Sequence, residues 1–321
     1  MRLTLTEIRK TFGSAEVLKG INLTAETGSA FGLLGRNGAG KTTTIRIVMR
    51  VFPADSGEVR VDGQRLAESP RTFGYLPEER GLYPKKKIGD QLTYIGMLRG
   101  LNRTDARSAA RRWLKRLRMQ AQEDAVLATL SKGNQQKIQL CAALIDDPDV
   151  VIMDELFSGL DPVNAGLLKD VLSEQIDSGR VVLFSSHEMN YVEEFCDNIA
   201  IMNHGEIVLS GNLRQIKRGY DRTKLFIAVD EALGSSFDAL NRFVRREGAG
   251  LDTVLAVEPA ANGAVVKLRA PEDKDGLLAA LCAGGIGVER FDVLEPTLEE
   301  IFVEKAGDDP QGGEERGEVA P

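Results

Sequence analysis

Polar and hydrophobic positions alternate in the first part of the chain. This period of two covers residues 2–8 (RLTLTEI) and 16–23 (EVLKGINL) and predicts two strands, each with one buried face. An uninterrupted apolar run at 30–34 (AFGLL) predicts a strand that is buried on both faces. Residues 43–50 then collect their apolar side chains on one side, which predicts a helix directly after that strand.

Strands and helices continue to alternate through the middle of the chain. Apolar strands are predicted at 150–153 and 181–184, and helices at 105–119, 136–145 and 163–177. Shorter strands are predicted from 58, from 73, and in a hairpin at 198–202 and 206–209. The alternation predicts an α/β fold: a mainly parallel sheet with helices on both faces, preceded by antiparallel strands.

After about residue 224 the order of elements changes. Strand, helix, strand, strand, helix and strand are predicted at 224–229, 236–246, 251–257, 264–269, 273–282 and 287–294. This βαββαβ order is that of a ferredoxin-like domain. A final helix starts at Thr297, which forms a capping box with Glu300.

These patterns predict two domains, for which 321 residues are sufficient. The first covers 1–217, with a helical subdomain at about 85–147. A small α+β accessory domain covers 224–305, and we expect it to act in regulation or dimerisation, because it contains no cluster of titratable residues. Residues 306–321 have almost nothing to bury and are predicted to be disordered.

The charge is distributed unevenly. Of the formal net charge of −7, residues 306–321 contribute −4 through five acids and one Arg, which leaves −3 for the rest of the chain. A nearly neutral body with an acidic tail argues against a nucleic-acid partner. One local segment is basic: Lys85-Lys86-Lys87 and the arginines of 103–118. It is either a solvated helix face, which we favour, or a surface for anionic lipid head groups.

No run approaches the ~18 apolar residues of a membrane helix, and no secretory signal precedes the first strand. We therefore expect the chain itself to remain in the cytoplasm. Three cysteines, Cys141, Cys196 and Cys282, lie far apart in the sequence without a CxxC pair. This spacing indicates neither disulfides nor a zinc site, and each is predicted to be a small buried side chain.

A phosphate-binding loop lies between the buried strand and the helix near the N-terminus. It fits GxxxxGK[ST] and reads Gly35-Arg36-Asn37-Gly38-Ala39-Gly40-Lys41-Thr42. Its glycines allow the backbone N–H groups to point inward at the start of a helix, where an anion binds. The ammonium of Lys41 is expected to reach the β- and γ-phosphates of a nucleotide, and the Thr42 hydroxyl to be a Mg²⁺ ligand.

Two acids, Asp154 and Glu155, follow the apolar strand at 150–153. Carboxylates at the end of a buried strand are costly unless a cation lies beside them. Mg²⁺ bound to ATP supplies that cation, so the two acids and the phosphate-binding loop predict one MgATP site.

The ordered set of motifs resembles the ATP-binding subunit of an ABC transporter over residues 1–215. The motifs are the phosphate-binding loop, LSKGNQ at 130–135, the strand that ends in Asp154-Glu155, SGLD at 158–161, and His187 at a strand end. Two segments, YLPEERGLYP at 75–84 and LEPTLEEIFVEKAG at 294–307, are similar to those of the bacterial branch that pairs with ABC-2 type permeases. That branch includes sodium exporters and drug or antibiotic exporters.

The resemblance implies a role for each matching residue. Glu155 is the general base for the attacking water, and His187 senses the γ-phosphate; with Lys41 they are the catalytic residues. Mg²⁺ is held by Thr42, Glu78 and Asp154. ATP contacts Phe12, which stacks on adenine, and the loop residues Asn37, Gly38, Ala39, Gly40, Lys41, Thr42 and Thr43. Ser131 and Gly133 bind the ATP held by the other subunit, and Asp161 crosses the seam between them.

Three departures from the family pattern accompany these matches. Glu78 occupies a position at which the family has Gln, and Leu156 one at which it has Pro. Within the motif LSKGNQ, Lys132 lies where Gly is commoner, and Asn134 lies where Gly or Gln is commoner. None removes a catalytic group, so the resemblance implies an active ATPase, expected to be slow. It implies a head-to-tail dimer with a second ATP-binding subunit, a separate ABC-2 type transmembrane permease, and a place on the cytoplasmic face of the cell membrane.

A soluble ABC-type ATPase that acts on ribosomes or DNA is the alternative. Such proteins carry two cassettes or a long coiled-coil insertion, whereas only some ninety residues separate Lys41 from Ser131 here. A regulatory subunit that does not hydrolyse ATP is expected to lack Glu155 or His187, and both are present. An ATPase that drives export is the function we predict; no feature of residues 224–305 indicates the cargo.

Overall fold

The computed structural model describes residues 1–79, 81–157, 160–186, 188–220, 222–230, 235–245 and 252–307. It divides the chain into two compact units. Unit 1 comprises Met1–Leu213 and the residues from Phe302 onward, and unit 2 comprises Arg214–Ile301. Among the described residues, no helix is both long and apolar enough to cross a membrane.

Unit 1 is built on a six-stranded sheet in the order β10-β9-β3-β8-β7-β6. The strands are β3 (Ala30–Gly35), β6 (Phe73–Leu76), β7 (Val150–Asp154), β8 (Val181–Ser185), β9 (Cys196–Asn203) and β10 (Glu206–Asn212). All neighbouring pairs are parallel except the β9–β10 hairpin. Every residue of β3, β7 and β8 is buried, as expected for parallel strands covered on both faces.

A second, antiparallel sheet of unit 1 has the order β2-β1-β4-β5. Its strands are β1 (Arg2–Phe12), β2 (Ala15–Glu26), β4 (Ser56–Val61) and β5 (Gln64–Arg65). Alternate residues of β1 and β2, such as Leu3, Leu5 and Leu23, are buried in one hydrophobic cluster with residues of β3, β7 and β8. The N-terminal strands thus share a core with the parallel sheet.

Six α-helices are described in unit 1 up to the boundary, and a seventh begins there at Leu213. They are α1 (Lys41–Val48), α2 (Ile88–Leu98), α3 (Arg103–Arg116), α4 (Lys132–Ala143), α5 (Pro162–Asp177), α6 (Met189–Phe195) and α7 (Leu213–Gly219), the last of which extends into unit 2. The small buried faces of Ala106, Ala109 and Ala110 let α3 approach its neighbours closely. A Cβ on Gly96 of α2 would lie 2.9 Å from that of Ala106, which measures how tightly the two helices pack.

Unit 2 has the predicted ferredoxin-like order. The antiparallel sheet runs β12-β13-β11-β14, and two helices complete the βαββαβ sequence. The elements are β11 (Lys224–Val229), α8 (Ser236–Val244), β12 (Val254–Ala260), β13 (Gly263–Leu268), α9 (Asp273–Ala283) and β14 (Val288–Val293). The capping box is also confirmed: Thr297 N–H donates to Glu300 Oε2, and Glu300 N–H to Thr297 Oγ1, at the start of α10 (Leu298–Ala306).

Several structural details differ from the sequence predictions. The helix predicted at 136–145 begins at Lys132, because Ser131 caps it directly. The helices α2, α6 and α7 were not predicted as separate elements. Cys141 and Cys196 are buried, but Cys282 is exposed on α9, which corrects the prediction for that residue.

The domain boundaries also differ from those predicted. The first segment of unit 1 ends at Leu213. The chain returns to unit 1 at Phe302, within the helix α10, which the sequence analysis assigned to the accessory domain. Ala306 and Gly307 accept hydrogen bonds from Asn203 and Arg36 of unit 1. The predicted disorder of the tail concerns residues that, apart from Ala306 and Gly307, lie outside the described part of the chain.

Candidate functional site

The phosphate-binding loop connects β3 to α1. Gly40 has φ +107° and precedes the first residue of α1, and a Cβ there would lie 2.7 Å from Leu18 Cδ2. Only glycine fits this left-handed, closely packed position without strain. The β9–β10 hairpin braces the loop, because Gly205 N–H donates to Ala39 O at 3.1 Å and Gly205 O accepts from Lys19 N–H at 2.8 Å. The loop is therefore held in shape by its neighbours.

The side chains of the loop residues differ in exposure. Asn37 and Gly38 are exposed, Ala39 is buried, and Thr42 and Thr43 are half-buried in the first turn of α1. This turn leaves its N–H groups without helical carbonyl partners, which makes the helix start suitable for an anion.

Lys41 lies among three carboxylates. Its ammonium donates to the carbonyls of Gly35 at 2.6 Å and Arg36 at 3.3 Å. Burial lowers the pKa of Lys41, while the negative charges of Glu155, Asp154 and Glu78 act in the opposite direction. The fold thus brings these predicted site residues within electrostatic range of one another, although they come from three separate segments.

Asp154 ends β7 and is 3% exposed. The Ser185 hydroxyl donates to its Oδ1 from the neighbouring strand β8. Its Oδ2 is buried and accepts no hydrogen bond from a residue that the structure describes. Tyr75 lies on β6, and burial together with the negative charge of Asp154 raises the pKa of Tyr75 to about 12. A buried carboxylate oxygen without a donor is suited to a cation.

Glu155 occupies a strained turn directly after Asp154. Its φ is +54°, an uncommon value for a residue other than glycine, and it is 8% exposed. Glu155 N–H donates to Ser185 O at 3.1 Å. The Gln136 amide of α4 donates to the carbonyls of Glu155 and Leu156, at 3.3 and 2.5 Å. These hydrogen bonds fix the backbone at Glu155 and so restrict the position of its carboxylate.

Two glutamines of α4 were missed by the sequence analysis. Gln136 holds the Glu155 turn, and Gln139, one helical turn further on, is buried and donates to Glu79 O at 3.1 Å. Glu79 follows Glu78 in the loop after β6. The i, i+3 spacing of Gln136 and Gln139 on one helix was the available signal.

Ser131 and Asp161 both act as helix caps. Ser131 Oγ accepts from Asn134 N–H at 3.4 Å, and Asp161 accepts from Val163 N–H and Asn164 N–H at 3.1 and 3.0 Å. Those hydrogen bonds lower the pKa of Asp161. In the described part of the chain, neither Ser131 nor Gly133 hydrogen-bonds to the phosphate-binding loop.

Three further predicted features complete the inventory. Phe12 ends β1 and is 47% exposed. His187 and the first two residues of the SGLD loop lie outside the described residues.

Comparisons with known proteins agree with this arrangement. The model of the family described as "ABC transporter" matches residues 18–158. The family described as "ATP-binding protein DrrA1-3-like, C-terminal domain" matches residues 211–306. The first match contains the phosphate-binding loop and the Asp154–Glu155 pair, and the second contains unit 2.

Relatives cover nearly the whole chain. The uncharacterized ABC transporter ATP-binding protein YhaQ of Bacillus subtilis is 38% identical over 306 residues, 95% of this chain and 98% of the relative. The linearmycin resistance ATP-binding protein LnrL of the same organism is 29% identical over 95% of this chain and 98% of its own. A solved ATP-binding subunit of an ABC transporter superposes with a TM-score of 0.63 at 29% identity, covering 68% of this chain and 93% of that chain.

Proposed function

The chain belongs to the ABC transporter ATP-binding proteins and is an ATPase, and from that premise we propose that it powers a separate membrane permease of the ABC-2 type. The structural observation that supports ATP hydrolysis, the step that would drive the permease, is the convergence on Lys41 of the carboxylates of Asp154, Glu155 and Glu78. A cationic phosphate loop facing acids is the arrangement that phosphoryl transfer to water requires.

Each residue has a defined part in hydrolysis. Lys41 and the first turn of α1 bind the phosphates, which requires Lys41 to exchange its carbonyl partners Gly35 and Arg36 for phosphate oxygens. Glu155 accepts the proton of the attacking water, and its backbone is held by the bond that its N–H donates to Ser185 O and by the bond that its carbonyl accepts from the Gln136 side-chain amide. His187 is proposed to contact the γ-phosphate, and Phe12, at the end of β1, is proposed to stack on adenine.

The donor set fits Mg²⁺. Asp154 Oδ2 is buried without a donor among the described residues, and Thr42 supplies a hydroxyl at the start of α1. Hard oxygen ligands of this kind are those that Mg²⁺ prefers. Glu78 adds a third oxygen ligand and a negative charge that the usual Gln lacks. Mg²⁺ would neutralise charge on the phosphates, and these residues would hold it beside them.

The active unit is proposed to be a head-to-tail dimer around two ATP molecules. Ser131 is the N-cap of α4, where its side chain accepts from Asn134 N–H, and Gly133 lies in the first turn of this helix. A helix N-terminus attracts an anion, and these residues hold no phosphate-loop contact within the described part of their own chain. A second ATP-binding subunit, expected to be an identical chain, would supply the phosphate. Asp161, which caps α5, would border the seam.

The permease is proposed to dock on an exposed apolar surface along α2. Tyr83, Tyr94 and Leu98 are 60%, 52% and 69% exposed, and a cavity of about 290 Å³ lies between Tyr83 and Tyr94. Large aromatic and aliphatic side chains left in solvent are typical of a protein interface. A cytoplasmic segment of the permease would cover them, which places the chain on the cytoplasmic face of the membrane.

Two of the comparisons support the finer assignments. The match of residues 211–306 to the DrrA1-3-like C-terminal domain supports pairing with an ABC-2 type permease. The resistance function named for LnrL supports export as the direction of transport.

The test is to express a tagged Glu155→Gln variant in the native cell and to solubilise the membranes gently with ATP present. We expect one polytopic permease in stoichiometric amount. A Tyr94→Glu substitution should release it, whereas Val208→Glu, on an exposed position of β10, should not. Ribosomal or DNA-associated partners, with the protein absent from the membrane fraction, would refute the transporter assignment.

A further inference from the structure

Phe12 does not stand alone at the end of β1. The ring of Phe52 meets it edge-on, with centroids 5.3 Å apart and an interplanar angle of 90°. The Lys10 ammonium lies 5.4 Å from the centroid of Phe12 and 5.6 Å from that of Phe52. Phe12 is 47% exposed, whereas Phe52 packs partly buried against the hydrophobic core of unit 1. An exposed ring is thus fixed by a ring that is anchored in the core.

Asp55 fastens the same strand end from a second direction. Its Oδ1 accepts from the Lys10 ammonium and its Oδ2 from Thr11 N–H, both at 2.7 Å. Its own N–H donates to Arg9 O at 2.9 Å. Three consecutive residues before Phe12 are therefore tied to one aspartate. The Lys10 side chain is only 12% exposed, so its position in this pair is restricted.

The segment that carries Phe52 and Asp55 is itself tied to the phosphate-binding helix. Beyond α1, Arg50 adopts φ +58°, and Val51 N–H donates to Arg46 O at 2.9 Å. This is a left-handed helix end, and it sets the direction in which the chain continues toward Phe52. Phe52 and Asp55, which hold the end of β1, thus lie in the segment that directly follows the helix beginning at the phosphate loop.

We propose that Phe52 and the Lys10–Asp55 pair are positioning residues for the nucleobase of the bound nucleotide. They hold the Phe12 ring in the orientation that stacks on the base, so that the base gains contact without first ordering the ring. This inference rests on the proposed function, in which Phe12 stacks on adenine. It goes further in assigning base recognition to residues that do not touch the nucleotide and that connect the base contact to the phosphate-binding helix.

The physical reason is conformational entropy. An exposed Phe side chain at a strand end loses rotamer freedom when it stacks, and that loss opposes binding. A ring already restrained by Phe52 and Lys10 loses less. The proposal therefore predicts an effect on ligands that contain a base and none on the phosphates alone.

The test compares two ligands on the full chain, MgATP and magnesium tripolyphosphate, which has the phosphates without the base. Dissociation constants are measured by titration calorimetry for wild type and for Phe12→Ala, Phe52→Leu, Asp55→Ala and Val51→Ala. Phe52→Leu keeps an apolar side chain against the core but removes the aromatic edge. Val51→Ala is the matched control, since Val51 lies in the same segment and is 63% exposed.

Phe12→Ala is expected to weaken MgATP binding roughly 5- to 100-fold, the range of base–aromatic stacking. Phe52→Leu and Asp55→Ala are expected to weaken it about 2- to 10-fold. For all three variants, the affinity for tripolyphosphate stays within about twofold of wild type, and Val51→Ala changes the affinity for neither ligand.

Two results would overturn the inference. Equal losses for MgATP and tripolyphosphate would show that Phe52 and Asp55 support the fold or the phosphate loop only. Wild-type MgATP affinity in Phe52→Leu and Asp55→Ala, with Phe12→Ala impaired, would show that the ring needs no positioning. If Phe12→Ala binds MgATP as wild type does, the base contact in the proposed function fails instead.

Discussion

Asp154 is expected to destabilise the protein when neither nucleotide nor metal is bound. The carboxylate is 3% exposed, and its Oδ2 has no donor among the described residues. A buried acceptor without a partner costs about 1–3 kcal/mol. Asp154→Asn has nearly the same shape, keeps an oxygen for the Ser185 hydroxyl, and removes the buried charge. The lost attraction to Lys41 offsets part of this gain.

The expected net effect is an increase of about 1–2 kcal/mol in the free energy of unfolding of unit 1. For a domain of this size it corresponds to a melting temperature raised by roughly 2–8 °C. Calorimetric melting in EDTA measures it. With saturating MgATP the order reverses, because wild type gains about 2.7 kcal/mol at a ligand concentration of 100 Kd and the variant gains much less.

Asp149→Asn is the matched control. Asp149 lies just before the same strand β7, and its carboxylate accepts from Thr72 N–H at 2.9 Å and from Arg71 at 3.1 Å. Since this carboxylate is satisfied, its loss should lower the melting temperature. If Asp154→Asn melts at or below wild type in EDTA, or keeps the full stabilisation by MgATP, the reasoning that a cation completes this site is wrong.

Three further outcomes are expected. Gln136→Ala should lower kcat for ATP hydrolysis about tenfold with KM unchanged, because the Gln136 amide holds the Glu155 turn. Gln135→Ala is the control, since the Gln135 amide donates to Leu130 O and makes no bond to that turn within the described part of the chain; a fall in the ATP affinity of Gln136→Ala would contradict this. Burial lowers the pKa of Lys41 from 10.5, so ATP affinity measured from pH 7 to 10 should fall as the ammonium deprotonates, and a flat profile would contradict it. Cys282 is exposed, whereas burial raises the pKa of the other two thiols; a thiol reagent should modify one cysteine in the folded protein and three after unfolding.

The hydrophobic pattern predicted most of the fold. Buried strands at β3, β7 and β8 and the βαββαβ order of unit 2 are confirmed, because each is encoded in a short apolar run and its spacing. Three helices, α2, α6 and α7, were not predicted in this way. The seven residues of α6 are too few for a helical period to show, and α2 follows a Lys-rich stretch without a side-chain cap.

Local sequence did not predict where distant segments meet. Cys282 lies on a helix whose buried face is set by the sheet beneath it, so its exposure could not be deduced from its residue type. Likewise, the chain returns to unit 1 at Phe302 because Asn203 and Arg36 donate hydrogen bonds to the carbonyls of Ala306 and Gly307.

The sequence by itself determined the chemistry: a glycine-rich loop before a helix, and two acids after a buried strand. These features depend on neighbouring residues, so a linear motif is enough to specify them. Only the tertiary structure decided that Asp154 Oδ2 is buried with no donor among the described residues, that Gln136 bonds to the Glu155 turn, and that the Lys10–Asp55 pair holds the end of β1 before Phe12. Each joins residues 19 to 45 positions apart or depends on what surrounds a buried atom, and such contacts exist only after the chain has packed.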